Sequence, residues 1–371
     1  MSVAIVKTEK ASDVRKAIDL LGGMDNFVKP GEKVVVKPNI CAGKDSSTGT
    51  VTDPEVVAEV CRMVAECGAE PVVAESPIYP YKSSRVYSKS GYSDFESRYG
   101  FPFVDIDSTP YRDVRVPGGK AIDHILVSDV VLMSDRLINV PVMKTHLQTT
   151  VTLGLKNLKG VVPGKQKHLI HLTDLHKGIV DLNTVVKSDL TIVDGIIGME
   201  GTGGPTNGRA VRMDVIVAGD NVVETDAVGV RLMGGDPKAV EHVRLAAERG
   251  LGSLNGFEML GDSLESASKS LDLPKRPELN RLLITGIGLR VMDFVRKPIM
   301  KITGGESVVR SARIGELIID EGACDGCRLC LASCPVEALS YDESLVCDRE
   351  TCIECFCCAE VCPAGALSKK F

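Results

Sequence analysis

The strongest constraint on this chain is a cysteine pattern that occurs twice near its C-terminal end. Eight of the thirteen cysteines in the 371 residues belong to it. The first copy reads Cys324-x2-Cys327-x2-Cys330-x3-Cys334-Pro335, and the second reads Cys352-x2-Cys355-x2-Cys358-x3-Cys362-Pro363. Ala-Leu-Ser also recurs, at 338–340 and 366–368. The C-terminal part is therefore an internal repeat that brings thiols together in two sets.

The repeated run, from about Gly315 to the end, resembles the one that bacterial ferredoxins use to hold two [4Fe–4S] clusters. In that arrangement the fourth cysteine of each run ligates the other cluster. One cluster is then expected on Cys324, Cys327, Cys330 and Cys362, and the other on Cys352, Cys355, Cys358 and Cys334. A zinc site would need no doubled run ending in proline, and a disulfide scaffold would need a secretion signal that is not evident. Cys357 is expected to pack rather than ligate, and the role of Cys347 is open.

Composition narrows the classes of function. The net charge of −6, the absence of tryptophan and an aromatic content of 4% argue against general nucleic-acid binding. No apolar run reaches the length of a membrane span. With an iron–sulfur motif and no export signal, we expect a cytoplasmic protein.

The N-terminal part alternates strands and helices. Lys33–Lys37 predicts a buried strand, Asp53 or Thr52 followed by Pro54 predicts a helix start, and Pro71–Glu75 predicts the next strand. This βαβ unit favours an α/β fold with a mostly parallel sheet and flanking helices, followed by a small α+β ferredoxin-like domain. Further strands are predicted at Asp129–Met133, Leu190–Asp194 and Asp214–Ala218, and helices at Asp174–Val186, Glu224–Met233 and Pro237–Arg249.

We expect three parts: an α/β domain over 1–269, a helical connector over 270–312 and a ferredoxin domain over 313–371. The connector is apolar with interspersed charges, which favours a docking helix over a membrane span. Attachment to a lipid surface is an alternative, and its apolar side leaves a homodimer possible. The loop-rich segment 76–120 is either an active-site flap or a surface insertion.

A basic stretch is the most unusual feature of the large domain. Arg136–Thr173 contains six Lys or Arg and no Asp or Glu, although the chain as a whole is acidic. Glycines interrupt the stretch, so backbone amides could approach a ligand closely. The lysines stand among apolar residues, which favours a lined cleft for an anionic substrate over a solvated basic face.

Two short polar segments follow apolar runs. Lys37 and Asn39 follow the first predicted strand, and Lys144 and His146 follow Leu137–Met143. Ligands bind beyond the carboxyl ends of parallel strands, so these side chains are expected to converge. His146 is then a candidate proton donor, with Lys144 beside it. A histidine held by a local hydrogen bond is the alternative.

Other candidates are less specific. Asp194–Pro205 is glycine-rich and could hold a phosphate, with Asp194 or Glu200 as acid, base or ligand, or it could be a structural turn. Asp220–Asp226 is a strand-to-helix corner where capping is expected. His168, His171 and His176 could suggest a metal, but a complete ligand set is not evident.

Several motifs together resemble the DUF362 family, a domain of unknown function that is often fused to a ferredoxin module. They are VKPN at 36–39, VTDPEVV at 51–57, NVPVMKTH at 139–146, LGLKNLKG at 153–160, IVDGIIGMEGTGGP at 192–205 and VAGDNVVETDAVG at 217–229. The resemblance covers roughly residues 1–265. It implies a shared site at Lys37, Asn39, Lys144, His146, Lys156, Asn157, Lys159, Asp194 and Glu200.

The fusion of an electron-carrying module to a basic site favours a reductase that passes low-potential electrons to an anionic organic substrate. Its partners would be that substrate and an electron-donor or acceptor protein. Two alternatives remain: a non-catalytic electron-transfer partner of a separate oxidoreductase, and a protein whose clusters are structural.

Overall fold

The computed structural model describes residues 1–274 and 316–370, which form two compact units that divide near Leu273. The first unit contains a ten-stranded sheet. Its strands are β1 Ser2–Lys7, β2 Lys33–Pro38, β3 Glu70–Glu75, β4 Phe103–Asp105, β7 Arg136–Val140, β8 Val142–His146, β9 Thr150–Thr152, β10 Leu190–Glu200, β11 Arg209–Gly219 and β12 Glu258–Gly261. A separate antiparallel pair is formed by β5 Tyr111–Arg115 and β6 His124–Ser128.

The strand order is β12-β1-β11-β10-β7-β2-β3-β4, with β8 beside β10 and β9 beside β8. All neighbours from β10 through β7, β2 and β3 to β4 are parallel, as are β8 with β10 and β1 with β12. The antiparallel pairs of this sheet are β11 with β1, β11 with β10, and β9 with β8. The expectation of an α/β fold with a mostly parallel sheet is confirmed.

Helices cover both faces of the sheet. They are α1 Val14–Leu20, α2 Pro54–Glu66, α3 Ser83–Lys89, α4 Phe95–Tyr99, α5 Asp129–Leu132, α6 Gly154–Asn157, α7 His168–Thr173, α8 Leu175–Val185, α9 Val222–Leu232, α10 Glu241–Glu248 and α11 Leu264–Ala267. Asp53 caps α2, because its side chain accepts a hydrogen bond from the Glu55 N–H at 2.9 Å.

Two hydrophobic cores lie on opposite faces of the sheet. Side chains alternate along a strand, so Val35 of β2 joins one core while Val34 and Val36 join the other. Burial on both faces explains why β2 is a continuous apolar run rather than an alternating one.

Two predicted elements differ from the structure. Asp129–Met133 was predicted as a strand but forms the short helix α5, because the Ser128 hydroxyl accepts a hydrogen bond from the Val130 N–H and caps a helical turn. The apolar segment Leu137–Met143 is divided by Pro141 into β7 and β8. Lys144 and His146 therefore lie within β8 rather than after a strand.

Other predicted elements differ from the structure in where they begin or end. The strand predicted at Leu190–Asp194 continues to Glu200 as β10, with an irregularity between Gly195 and Ile197. The helix predicted at Pro237–Arg249 is a single 3-10 turn followed by α10. The segment 76–120 contains α3, α4, β4 and β5, and its Tyr87 and Tyr92 are buried in the core.

The second unit repeats one motif. Two antiparallel pairs, β13 Glu316–Ile319 with β16 Leu367–Lys370 and β14 Leu339–Tyr341 with β15 Leu345–Cys347, flank two short helices, α12 Leu329–Ser333 and α13 Cys357–Val361. This is the small α+β fold expected for the cysteine repeat. The predicted connector, 270–312, lies almost entirely outside the described residues. Among the residues described, no helix combines the length and the apolar character needed to cross a membrane.

Candidate functional site

Five lysines of the first unit, which we call the lysine cluster, lie at or near the carboxyl ends of the central strands and on the turns beside them. They are Lys37, Lys144, Lys156, Lys159 and Lys167; all are buried except Lys159, which is partly buried. Ammonium groups are rarely buried without partners, because removing a charge from water is costly. The contacts of each lysine therefore decide what the cluster can do.

Lys37, on β2, is fully buried and forms an ion pair with Glu75 at the end of the neighbouring strand β3. Its Nζ lies 2.6 Å from Glu75 Oε2 and donates to the Pro38 carbonyl at 2.8 Å. Burial lowers the pKa of Lys37, and Glu75 opposes that shift. Gly160 packs directly on this pair, because a Cβ there would lie 2.7 Å from Lys37 Nζ and closer still to Glu75.

Lys144, on β8, is fully buried, and its hydrogen-bond partners in the described residues are an amide oxygen, two backbone carbonyls and a thiol. Its Nζ donates to Asn39 Oδ1 at 2.8 Å and to the carbonyls of Thr50 at 2.6 Å and Pro205 at 3.3 Å, and lies 3.3 Å from Cys41 Sγ. Lys144 therefore joins three segments that are distant in sequence.

Three buried asparagines extend this network. Asn39 Nδ2 donates to Asn157 Oδ1 at 2.8 Å, and Asn157 Nδ2 donates to Asn139 Oδ1 at 2.8 Å. The chain of amides connects Lys144 to the helix α6, which also carries Lys156. The sequence did not indicate Asn139 as a site residue, although it begins the motif NVPVMKTH and is the last residue but one of β7, beside β2.

His146 points from the same face of β8 as Lys144, since the two residues are separated by one position. Its Nε2 lies 2.7 Å from Lys156 Nζ, and its Nδ1 accepts hydrogen bonds from the backbone N–H groups of Gln148 at 3.1 Å and Thr149 at 3.2 Å. His146 is fully buried. The local hydrogen bonds that the sequence left as an alternative are thus present, together with the contact to Lys156.

The remaining two lysines also contact neutral groups. Lys159 Nζ contacts His171 Nε2 on α7. Lys167 Nζ donates to Ser76 Oγ and, at 2.8 Å, to the Pro77 carbonyl. Burial lowers the pKa of Lys167 to about 8 despite the opposing charges of Asp107 and Glu75.

Asp226, in the strand-to-helix corner at 220–226, positions the helix α6. Its carboxylate accepts hydrogen bonds from the N–H groups of Gly154 at 2.7 Å and Leu155 at 2.9 Å, so it caps a helix 72 positions away in sequence. Burial raises the pKa of Asp226 to about 7, against the effect of these two hydrogen bonds. No local sequence signal links Asp226 to α6.

Asp194 and Glu200 have other contacts. Asp194 accepts from the N–H groups of Asp53 at 2.9 Å and Ile196 at 3.1 Å, and burial raises its pKa to about 7. Glu200 pairs with Arg209 across β10 and β11 and accepts from the Asp272 N–H at 2.9 Å. These contacts fix backbone and a strand pair, and none of them is with the lysine cluster.

In the second unit the cysteines line two cavities of similar size. One has a volume of about 340 Å³, including its opening to solvent, and is lined by Cys334, Cys352, Cys355 and Cys358 among other residues. The other has a volume of about 300 Å³, including its opening, and is lined by Cys324, Cys327, Cys330 and Cys362 among other residues. Each cavity thus has three cysteines of one run and the fourth of the other, the set that a cubane cluster requires in the two-cluster arrangement.

A single-ion site fits the described residues less well. Within 1–274 and 316–370, no three His, Cys, Asp or Glu side chains converge at the spacing of one metal ion. Zinc would require four ligands around a single point. The cysteines instead surround a volume, which suits a cluster with four iron corners. Cys357 is buried in α13, whereas Cys347 on β15 lies beside Cys352.

Fold and cysteine cavities together define an α/β protein with a ferredoxin-type iron–sulfur unit that serves electron transfer. Residues 34–231 match the model of the domain of unknown function DUF362, and residues 323–366 match a 4Fe-4S dicluster domain. The chain belongs to the DUF362 family.

Two known proteins are similar to this chain. Thylakoid-associated protein sll1697 of Synechocystis sp. is 32% identical over 247 residues, which are 65% of this chain and 74% of that protein. The lactate racemase apoprotein of Thermoanaerobacterium thermosaccharolyticum aligns with a TM-score of 0.40 and 12% identity, over 59% of this chain and 53% of that structure. The chain thus spans about half the length of the racemase, and this weak likeness carries no argument about function.

Proposed function

We propose that this protein is an oxidoreductase in which two [4Fe–4S] clusters pass low-potential electrons to an anionic organic substrate bound at the lysine cluster. The observation that carries the proposal is the kind of group that hydrogen-bonds with three of the lysines. In the described residues the hydrogen-bond partners of Lys144, Lys159 and Lys167 are an amide, backbone carbonyls, a thiol, a hydroxyl and an imidazole, and none of them is a carboxylate. Glu75, by contrast, is the carboxylate that pairs with Lys37.

The physical argument is electrostatic. Burial disfavours the charged form of a lysine, and an opposite charge close by favours it. An anion placed among Lys144, Lys159 and Lys167 would offset the desolvation of all three, whereas a neutral ligand would offset none of it. Asn39 and Asn157 would orient the bound anion through amide groups, whereas Lys37 would add little net charge because Glu75 pairs with it.

The cluster unit supplies the electrons. Each [4Fe–4S] cluster transfers one electron, so two clusters can deliver a pair to the substrate, which also takes up two protons. We propose Cys324, Cys327, Cys330 and Cys362 as ligands of one cluster, and Cys352, Cys355, Cys358 and Cys334 as ligands of the other. His146, with Lys144 beside it, is the proposed source of a proton, and an external redox protein is the proposed electron donor.

The first test is anaerobic purification of the full chain, with assays of iron and acid-labile sulfide and mass spectrometry of co-purifying small molecules. We expect about eight irons per chain from two cubane clusters. We also expect a co-purifying acid rather than a base. A colourless protein without sulfide would overturn the proposal.

The second test locates the substrate site. The clusters are reduced with dithionite, and their reoxidation by the co-purified acid is followed optically in Lys144→Met, His146→Gln and the control Lys165→Met. Lys165 is exposed and has no assigned role. We expect at least about a tenfold loss of rate in the first two variants, as for the removal of a general acid or a binding charge. Unchanged rates at full cluster content would place the site elsewhere.

One observation favours a second candidate, a non-catalytic electron-transfer partner. Residues 316–370 contain eleven Asp and Glu but only four Lys and Arg, and most of the acidic side chains are exposed. Such a unit would dock on a basic protein, with an association rate that falls steeply as salt is added. A salt-sensitive complex with an oxidoreductase, without any co-purified small molecule, would favour this candidate.

A further inference from the structure

The strand pair β14–β15 covers parts of both cysteine cavities. We call them cavity A, lined by Cys324, Cys327, Cys330 and Cys362, and cavity B, lined by Cys334, Cys352, Cys355 and Cys358. Tyr341 and Leu345 stand opposite each other in this pair, and both line cavity A. Leu339 and Cys347 are the next opposite residues on that face, and Leu339 lines cavity B. Opposite residues of an antiparallel pair share a face, so Cys347 lies on the face that covers cavity B.

The thiol of Cys347 also lies beside that of Cys352, the first cysteine of the second run. The backbone explains this proximity, because the Cys352 N–H donates to the Asp348 carbonyl at 3.0 Å and closes a turn that begins directly after Cys347. The Asp348 N–H donates to the Ala338 carbonyl at 2.8 Å, and Ala338 lines cavity B. The turn therefore holds a fifth thiol next to the four that line this cavity.

The other half of the repeat has an isoleucine at the corresponding place. Cys324 begins the first run as Cys352 begins the second, and the same number of positions before it stands Ile319. Ile319 ends β13 as Cys347 ends β15, and its opposite residue, Leu367, lines cavity A. An isoleucine side chain has no atom that can bind iron. The two cavities thus differ in this one respect, although their four-cysteine sets are equivalent.

The turn between the two neighbouring thiols can shift at little cost. Its residues 348–351 are exposed, so a small movement would disrupt few buried contacts. The remaining cysteines of cavity B lie outside this turn. The Cys347 sulfur would therefore need only a small displacement to reach the iron that Cys352 is proposed to hold.

We propose that Cys347 is an alternative ligand of the cluster in cavity B, which binds the iron of Cys352 when that bond is broken. The Cys347 thiol loses one proton and forms the new Fe–S bond, because the thiolate is the form that binds metals. The Cys352 sulfur leaves the iron and takes up one proton, and no electron is transferred. This deepens the proposed function and rests on it only for the presence of the clusters.

The test compares matched alanine variants of the full chain, purified anaerobically and assayed for iron and acid-labile sulfide. Cys352→Ala removes the ligand that has Cys347 beside it, and Cys324→Ala removes its counterpart in the first run. We expect about eight irons per chain in the wild type and in Cys352→Ala, but about four in Cys324→Ala. Cys347→Ala should keep about eight, because Cys352 is still present.

Double variants identify the thiol that takes over. Cys352→Ala with Cys347→Ala should fall to about four irons per chain, whereas Cys352→Ala with Cys357→Ala should keep about eight. Cys357 is the matched control, because it is the other cysteine of this unit outside the repeated spacing. The reverse result would assign the role to Cys357 and contradict the inference.

A transplant decides if Cys352→Ala does not fold. Ile319→Cys places a thiol at the corresponding position of the first half, so adding it to Cys324→Ala should raise the iron content from about four to about eight per chain. In that case, no gain of iron would contradict the inference.

Two results with folded variants would overturn the inference. One is an equal iron content in Cys352→Ala and Cys324→Ala, and the other is a loss of about four irons in Cys347→Ala alone, which would make Cys347 an ordinary ligand. Either result in a wild type that carries its clusters leaves the proposed function intact. A wild type with about eight irons but no reductase activity would contradict the proposed function alone.

Discussion

At the scale of single residues, buried polar groups outside the lysine cluster hold its parts in place. Asp226 is the main example, because its carboxylate accepts the N–H groups of Gly154 and Leu155 at the start of the helix that carries Lys156 and Asn157. Burial removes this carboxyl group from water, and the desolvation raises the pKa of Asp226 to about 7.

This shift predicts a pH dependence of stability. The folded protein keeps a proton on Asp226 up to about pH 7, whereas the unfolded chain releases it near the ordinary value of 3.8. The folded state binds more protons in this window, so the stability that Asp226 contributes is full below the window and is lost as pH rises through it. The Asn side chain of Asp226→Asn does not titrate. The free energy of unfolding of the wild type should therefore fall, relative to that of this variant, by up to about 1.4 kcal/mol for each pH unit in the window.

Urea unfolding at about pH 5.5 and pH 8 measures this difference. Circular dichroism is the suitable signal, because the chain has no tryptophan. Asp123→Asn, at an exposed position, is the control, and its free energy of unfolding should change between the two pH values by the same amount as that of the wild type. If the free energy of Asp226→Asn also changes by that amount, the Asp226 carboxyl is not protonated in the folded state.

At the scale of elements, caps and proline set where helices and strands begin and end. Asp53 and Pro54 start α2 as the sequence predicted. Asn221 similarly starts α9, because its side chain accepts from the N–H groups of Val223 at 2.9 Å and Glu224 at 3.3 Å. Pro141 divides an apolar run into two strands, which places Lys144 and His146 inside β8.

The cap of α9 gives a second prediction. Asn221→Ala should lower the free energy of unfolding by about 1 kcal/mol, because two N–H groups at the helix start lose their acceptor. Asn221→Ser restores an acceptor at this position and should recover most of the loss. The midpoints of urea unfolding compare the three proteins; equal midpoints for Ala and Ser would show that the contact of Asn221 with the Leu251 carbonyl matters more than the cap.

At the scale of the whole molecule, the second unit combines two copies of one short motif whose ligand sets cross. Cys362 shares a cavity with Cys324, Cys327 and Cys330, and Cys334 shares one with Cys352, Cys355 and Cys358. Each run therefore depends on the other for its fourth ligand. Which clusters a double variant affects should therefore depend on whether the two replaced cysteines line the same cavity or different ones.

The crossing predicts an unusual pattern in double variants. Cys327→Ser with Cys362→Ser removes two ligands of one cluster and should leave about four irons per chain, whereas Cys327→Ser with Cys334→Ser affects both clusters and should leave few. Cys357→Ser is the control and should keep the iron of the wild type. Iron and sulfide assays of anaerobic preparations measure the cluster content of each variant. If Cys327→Ser with Cys334→Ser keeps about four irons per chain, both cysteines ligate the same cluster and the fourth ligands are not exchanged between the runs.

The sequence by itself determined the features that depend on residues close together along the chain. Cysteine spacing predicts the iron–sulfur unit, because three ligands of each cluster lie within seven residues of chain. The run Lys33–Lys37, the cap at Asp53 and the next strand predict the parallel sheet, because these signals act over a few residues. Four lysines of the cluster, Asn39 and His146 could be proposed from their places near strand ends and in family motifs, whereas Lys167 was not proposed as a site residue.

Only the tertiary structure decided what those side chains contact. It paired Lys37 with Glu75, placed Lys144 against Asn39 and the Thr50 carbonyl, and paired Glu200 with Arg209. It also brought Asp226 to α6, a contact that spans 72 positions. Periodicity and capping report on neighbours along the chain, whereas burial and the pairing of charges depend on which distant segments the sheet places side by side.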